Sequence, residues 1–208
     1  MDRAFRHTLL VLGGVLCAAQ SPVFAQDDSE VTALIPMNRP AGGPVFQEGM
    51  NIAPMARATI FVRDIEESLK LYRDILGLKP MFDNYWKGSG INAIQGTQGV
   101  ELRATVLMAG SSVGGNIGIY QLFNSPHEAP PPRQTPDTRP GDFAIVWPTN
   151  DIYRLTAEIE AAGYPIVSPP VSLIEREEYA VQPVEMMFRD RDGVLVNLVQ
   201  AGVLKEDN

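Results

Sequence analysis

A strand followed by a helix occurs twice in this chain at an almost constant spacing. The first copy runs from a strand at Ala58–Val62 through Asp64 to a helix ending at Gly77. The second runs from a strand at Phe143–Trp147 to a helix ending at Gly163. Matching positions are 85 to 87 residues apart (142 − 57 = 85, 152 − 65 = 87, 163 − 77 = 86), which indicates two equivalent modules in tandem. Two such modules facing each other enclose a cleft, and that cleft is where we expect a site.

Residues 1–25 have the pattern of a secretory signal peptide. Arg3 and Arg6 precede an apolar run over 8–19, and small residues lead up to a cleavage site after Ala25. A membrane anchor is the competing interpretation, but the run is shorter than the roughly 20 residues that span a bilayer. A lipoprotein anchored at Cys17 is a minor alternative. We therefore expect a secreted or periplasmic protein with no membrane attachment after cleavage.

Cleavage would leave a chain with restricted chemistry. It removes the single cysteine and one of the two histidines, so that His127 alone remains. It also removes Arg3, Arg6 and Asp2, which takes the net charge from −8 to −9. An acidic chain without a basic stripe argues against binding to nucleic acid. His127 lies in a loop and is predicted to be incidental rather than a ligand.

The mature chain divides into segments by periodicity and composition. We predict an irregular arm over 26–54 in which 31–35 can form a strand, a first module over 55–124, a proline-rich linker over 125–141, a second module over 142–201 and a tail over 202–208. After the first helix, strands are predicted at 79–86, 100–108 and 117–123. After the second helix, the pattern indicates segments at 164–167, 172–180, 184–189 and 194–199. Each module is thus one strand, one helix and three strands.

Two segments carry a resemblance to a known family. They are Val62–Leu78, which reads VRDIEESLKLYRDILGL, and Phe188–Val199, which reads FRDRDGVLVNLV. With the duplicated β-α-β-β-β pattern, they make residues 56–201 resemble the vicinal oxygen chelate superfamily of glyoxalases, bleomycin-resistance proteins and extradiol dioxygenases. The resemblance implies an α+β fold of two tandem βαβββ modules around a cleft, a small-molecule ligand, and the capacity to form a homodimer.

The resemblance also implies where a metal would be held, with one ligand in the first and the last strand of each module. Counting from the motifs puts these places at Arg57, Gln121, Asp142 and Asn197. Arg57 presents only donors and cannot ligate a cation. We therefore expect no metal cofactor, with Arg57 paired to Asp142 across the modules and Gln121 and Asn197 completing the hydrogen bonds. A divalent metal on Gln121 and Asp142 stays an alternative.

Apolar side chains are expected around these four polar residues. Alternation along the strands predicts that the same faces carry Thr59, Phe61, Phe123, Ala144, Val146, Leu195 and Val199. Thr59, Phe61 and Trp86 are the predicted ligand contacts, although Tyr85 and Trp86 fit a packed core equally well. Glu101 and Glu185 are candidate general bases, although strand carboxylates are more often solvated. The four polar residues can also simply satisfy one another in a filled cleft.

Three functions remain open from the sequence. The first is an exported protein that binds a small hydrogen-bonding or anionic compound near Arg57 without metal. The second is a lyase, isomerase or dioxygenase, either metal-free or with an oxygen-only site at Gln121, Asp142 and Glu101 or Glu185. The third is a partner-binding protein that acts through its arm and linker.

Overall fold

The computed structural model describes residues 30–37, 48–110 and 115–205; the predicted signal peptide lies outside them. The strands are β1 (Glu30–Ile35), β2 (Arg57–Phe61), β3 (Lys79–Lys87), β4 (Glu101–Met108), β5 (Asn116–Phe123), β6 (Ala144–Thr149), β7 (Ile166–Val171), β8 (Tyr179–Val181), β9 (Val184–Arg189), β10 (Leu195–Gln200) and β11 (Val203–Leu204). The helices are α1 (Ile65–Leu69), which continues as a π-helix over Lys70–Ile75, α2 (Ser89–Gln95) and α3 (Ile152–Ala161). The α+β class predicted from the sequence is confirmed. No helix in these ranges is long and apolar enough to cross a bilayer.

The strands form two sheets with the same internal order. The first sheet runs β1-β3-β4-β5-β2 and the second β6-β10-β9-β7, while β8 and β11 pair separately. In each module the first strand lies parallel to the last, and the others are antiparallel. The predicted strand at 31–35 is β1, which adds an exposed edge strand to the first sheet. Each sheet has a helix face, covered by α1 or α3, and an opposite face that we call the open face.

The two modules hold the start of their helix in the same way. Asp64 caps α1 by accepting hydrogen bonds from the backbone N–H groups of its first turn, and Asp151 caps α3. A glutamine in the last strand adds a second cap. Gln121 Oε1 accepts from Ile65 N at 3.0 Å, and Gln200 Oε1 accepts from Ile152 N at 2.8 Å. The two glutamine contacts show that Gln121 and Gln200 are structurally equivalent, as are the caps Asp64 and Asp151.

The helix faces of both sheets contribute to one hydrophobic core. Within it, Tyr72 packs edge-on against Trp147 with ring centroids 6.0 Å apart. The Tyr72 hydroxyl donates to Asp190 Oδ2 at 2.7 Å. Burial raises the pKa of Asp190, while this hydrogen bond opposes the rise. The contact joins the helix of the first module to the Asp190–Gly193 turn of the second.

Three local features differ from the sequence prediction. α2 was not predicted, because its seven residues between Gly88 and Gly96 are too few to show a helical stripe. β7 begins at Ile166 rather than at 164, directly after Pro165. Of the segment 172–180, only its end enters a strand, β8, which pairs with β11 in the predicted tail.

The proline-rich linker is exposed for much of its length, but the second module anchors its end. Arg189, which is 1% exposed, donates to the carbonyl oxygens of Thr135 and Asp137. Gly193 has a φ of +88°, and a Cβ there would lie 2.7 Å from the backbone N and O of Arg133. The linker backbone therefore packs directly on the Asp190–Gly193 turn.

Candidate functional site

Arg57 is an exposed cation on the open face of the first sheet. Its Nε donates to Thr59 Oγ1 at 3.2 Å, and its Cζ lies 5.7 Å from the centre of the Tyr120 ring. The Phe61 ring meets Tyr120 edge-on at 5.8 Å. Among the residues that the structure describes, Arg57 forms no ion pair with a carboxylate. We call these four residues, Arg57, Thr59, Phe61 and Tyr120, the Arg57 cluster.

A glycine makes room for the Arg57 cluster. Gly118 pairs with Thr59 in the parallel β2–β5 register. A Cβ on Gly118 would lie 2.9 Å from Thr59 Oγ1 and 3.2 Å from a ring carbon of Tyr120. Both distances are closer than ordinary van der Waals contact, so Thr59 and Tyr120 occupy the space that a side chain at this position would take.

Gln121 does not lie with Arg57, and that part of the sequence prediction is wrong. Arg57 pairs with Asn116, so the even-numbered residues of β5 share its face. Gln121 therefore points to the helix face, where it caps α1. Phe123 shares that face and packs against Tyr85 at 5.9 Å. The β5 side chain in contact with Arg57 is instead Tyr120.

The predicted pair between Arg57 and Asp142 is also wrong. Asp142 lies two residues before β6, and its carboxylate is held by Arg133 at 2.7 Å and by Arg189 at 3.0 Å. The backbone N–H of Arg139 and these two guanidinium groups lower the pKa of Asp142 below its usual range. Asp142 therefore anchors the linker rather than forming part of a ligand site with Arg57.

The remaining predicted residues fall on different surfaces. Asn197 is buried on the open face of the second sheet, where Nδ2 donates to Met186 O at 2.9 Å and Glu185 Oε2 at 3.4 Å. Ala144, Val146, Leu195 and Val199 share that face by register. Glu101 pairs with Phe123 and so lies on the face away from Arg57.

Part of the open face of the first sheet is filled by packing. A second apolar cluster forms there from Phe82, Leu102, Ala104 and Val106. The side chains packed against it are Met81, Trp86, Tyr120, Leu122 and Ile91 of α2. Trp86 thus has the core role that the sequence left as an alternative to ligand contact. Arg57 and the exposed Phe61 lie beside this filled region on the edge strand β2, and Tyr120 contacts both.

Two cavities flank the Arg57 cluster. The interface cavity, of about 470 Å³, is lined by Met55, Ala58, Asn116 and the consecutive residues Phe143–Pro148. The linker cleft, of about 700 Å³, includes Phe61, Arg63, Leu122, His127 and Asp192 in its walls. Sequence reasoning missed Gly118, Tyr120 and the placement of His127, since none of them belongs to a motif.

A family model for the Glyoxalase/Bleomycin resistance protein/Dioxygenase superfamily matches residues 55–198. The chain belongs to this superfamily. The resemblance seen in the sequence is thereby confirmed for nearly all of both modules. No curated protein sequence matches the chain.

Solved structures match the chain at low identity, and the first of them shares its fold. A glyoxalase family protein from Bacillus cereus is 14% identical, with 76% of this chain and 99% of that chain covered and a TM-score of 0.61. The trypanothione-dependent glyoxalase I of Leishmania major is 16% identical over 72% of this chain and 87% of its own, with a TM-score of 0.46. A fosfomycin resistance protein from Listeria monocytogenes is 12% identical over 72% of this chain and 94% of its own, with a TM-score of 0.45.

The metal used by members of the superfamily does not fit the residues at the equivalent places. Arg57 lies seven residues before the cap Asp64, and seven residues before Asp151 lies Ala144. Asn197 lies three residues before Gln200, and three before Gln121 lies Gly118. The four places thus carry Arg57, Gly118, Ala144 and Asn197, which offer one amide oxygen and one fixed positive charge. Within the described ranges no group of three His, Cys, Asp or Glu is placed to hold a metal.

Proposed function

We propose that this superfamily member binds a small anionic molecule at Arg57 without a metal. The anion pairs with the guanidinium, and an apolar or aromatic portion packs on Tyr120 and Phe61. The observation that carries the proposal is the position of Arg57, on an open face, over an aromatic ring and without a carboxylate partner among the described residues.

The physical setting supports an anionic ligand. A guanidinium forms short, charge-assisted hydrogen bonds to carboxylates in a fixed fork geometry. Thr59 occupies one donor, Nε, and thereby orients the remaining N–H groups. Tyr120 presents a ring face beneath the cation, which favours that position by a cation–π contact. A planar apolar anion complements both features.

Cinnamate and cinnamamide test this proposal, since they share a shape and differ in charge. By isothermal titration calorimetry on the full chain, cinnamate is expected to bind about tenfold more tightly than cinnamamide. Arg57→Gln should remove that difference, and Arg57→Lys should keep part of it. Lys79→Gln removes the same charge from an exposed position on β3 and should leave the affinity within about twofold. Equal binding of cinnamate to wild type and Arg57→Gln would refute the proposal.

An enzyme with an oxygen-only metal site is the second candidate function. It rests on Glu185, whose carboxylate lies on the open face of the second sheet and accepts from Asn197 Nδ2 at 3.4 Å. Metal analysis of the purified protein separates the two candidates. A tightly held divalent ion in one-to-one amount, lost in Glu185→Gln, would favour the enzyme and contradict metal-free binding.

We also propose that the chain is exported and that it forms a homodimer. Export rests on the signal pattern of residues 1–25, and mass spectrometry of the protein from the secreted or periplasmic fraction should find a chain beginning at Gln26. The dimer rests on the exposed apolar side chains of Met55, which precedes β2, and of Phe143 and Val146 at β6. Light scattering should give twice the chain mass. Recovery of the full-length chain from that fraction would contradict export. A monomer at high concentration would contradict the dimer.

A further inference from the structure

We propose that the ligand of Arg57 extends across Phe61 into the linker cleft, where the His127 ring hydrogen-bonds a polar group at the ligand's far end. This inference rests on the proposed function, because it takes Arg57 as the residue that pairs with the anion. It specifies the ligand class as planar, conjugated carboxylates that carry a neutral hydrogen-bonding group opposite the carboxylate.

The first step is the direction in which Arg57 points. The Arg57 side chain donates a hydrogen bond to Thr59, two residues further along β2, and its guanidinium lies over the Tyr120 ring. The register partner of Arg57 is Asn116, which lines the interface cavity. Tyr120 is four residues beyond Asn116, about 13 Å along the strand. The guanidinium is thus displaced away from the interface cavity and towards the linker cleft.

The second step is the pair of contacting aromatic rings between Arg57 and the cleft. Tyr120 and Phe61 are in edge-on contact at 5.8 Å, and Phe61 also lines the linker cleft. Leu122, on the same face of β5 two residues after Tyr120, lines the cleft as well. Because the two rings are nearly perpendicular, at 86°, a conjugated ligand that stacks on the face of one meets the edge of the other, and it reaches the cleft in aromatic contact throughout.

The third step concerns the charges in the cleft. Arg63 is already engaged, with Nη2 at 3.0 Å from Asp192 and Nη1 donating to Pro130 O at 2.7 Å. Glu128 adds another negative charge to the cleft wall. A second carboxylate on the ligand would meet these acidic groups without a free cation in the described walls. A neutral hydroxyl meets no such repulsion.

The His127 ring is a hydrogen-bonding group on the cleft wall, which also carries Gln95 and Thr97. The hydrogen bond that the structure gives for His127 uses its backbone N–H, which donates to Ser125 Oγ at 3.2 Å. A neutral imidazole has one donor and one acceptor nitrogen, so its ring can pair with a hydroxyl in either direction. The loop position that made His127 look incidental in the sequence puts it on the wall of the cleft.

Calorimetry with 4-hydroxycinnamate and 4-methylcinnamate tests the inference, since the two compounds differ mainly in hydrogen bonding. We expect wild type to bind the hydroxy compound about fivefold more tightly. His127→Leu should bring the ratio close to one and leave the affinity for 4-methylcinnamate within about twofold. In NMR spectra of the full chain, the His127 ring signal, identified by its loss in His127→Leu, should shift more with the hydroxy compound.

The outcomes separate this inference from the proposed function. Equal affinity for the two compounds in wild type, with both still dependent on Arg57, refutes the role of His127 and leaves the proposed function standing. Weaker binding of both compounds to Val146→Ser, with no effect of His127→Leu, places the ligand body in the interface cavity and overturns the inference. If cinnamate itself binds equally to wild type and Arg57→Gln, the proposed function is refuted, and with it the inference that rests on it.

Discussion

Replacing Arg189 by methionine is expected to lower the free energy of unfolding by about 3 kcal/mol, because carbonyl oxygens packed around its guanidinium lose their donor. The guanidinium is 1% exposed and donates to the carbonyl oxygens of Thr135, Gly193 and Asp137 at 2.9, 2.7 and 2.6 Å. It also pairs with Asp142 at 3.0 Å. Methionine fills similar volume but leaves the carbonyl oxygens of Thr135 and Gly193 without this donor, while Asp137 O and the Asp142 carboxylate keep Arg133. Urea denaturation followed by circular dichroism measures the change.

The same variant should release the linker from the second module. Limited proteolysis within 125–141 is expected to become faster in Arg189→Met than in wild type. Arg189→Lys keeps the charge but not the planar fork, so its loss of stability should be intermediate. Arg154→Met is the matched control on α3, where the side chain is 55% exposed and paired with Asp151 and Glu158. We expect it to lower the free energy of unfolding by at most about 1 kcal/mol. A loss below 1 kcal/mol in Arg189→Met would contradict the anchoring role.

Replacing Arg103 by methionine should lower the free energy of unfolding by about 3 kcal/mol, because it leaves the buried carboxylate of Asp83 without its cation. Arg103 Nε and Nη2 donate to the two oxygens of Asp83 at 3.0 and 2.7 Å, and the Asp83 side chain is 7% exposed. Nη1 reaches Glu66 of α1 at 2.7 Å. The arginine therefore joins β3, β4 and α1 on the helix face of the first sheet. Chemical denaturation of the variant gives the value.

A double variant distinguishes the effect of losing the ion pair from the effect of losing the packing of the arginine. Arg103→Met combined with Asp83→Leu removes both charges, and we expect it to recover at least half of the loss. Arg73→Met is the control, since Arg73 is 41% exposed and pairs with the adjacent Asp74; its effect should stay within about 1 kcal/mol. If the double variant is no more stable than Arg103→Met, packing of the arginine rather than the stranded Asp83 accounts for the effect.

The order of elements was predictable because local patterns determine it. Ala58, Ile60 and Val62 alternate with polar and exposed neighbours, and Ile65, Leu69 and Tyr72 form a stripe that the structure buries. Gly77 ends the first helix with a φ of +76°, a conformation that glycine adopts readily. Repetition of this pattern 87 residues later, together with the Phe188–Val199 motif, was enough to predict the superfamily.

The candidate site was predicted only in part, and the errors have a common cause. Arg57, Thr59 and Phe61 share a face because alternation within one strand is strictly local. The partner of Arg57 on β5 depends on register, and a shift of one residue exchanges Tyr120 for Gln121. No pattern within a single strand specifies that register.

The sequence by itself determined the two βαβββ modules, their helix caps and the residues that share a face within each strand, because these follow from side-chain periodicity and from short-range hydrogen bonds. The tertiary structure alone decided which charges meet. Asp142 pairs with Arg133 and Arg189 because the linker folds back on the second module, which leaves Arg57 over Tyr120. The Asp142–Arg189 and Arg57–Tyr120 contacts join residues far apart along the chain, so their geometry exists only once the modules have folded.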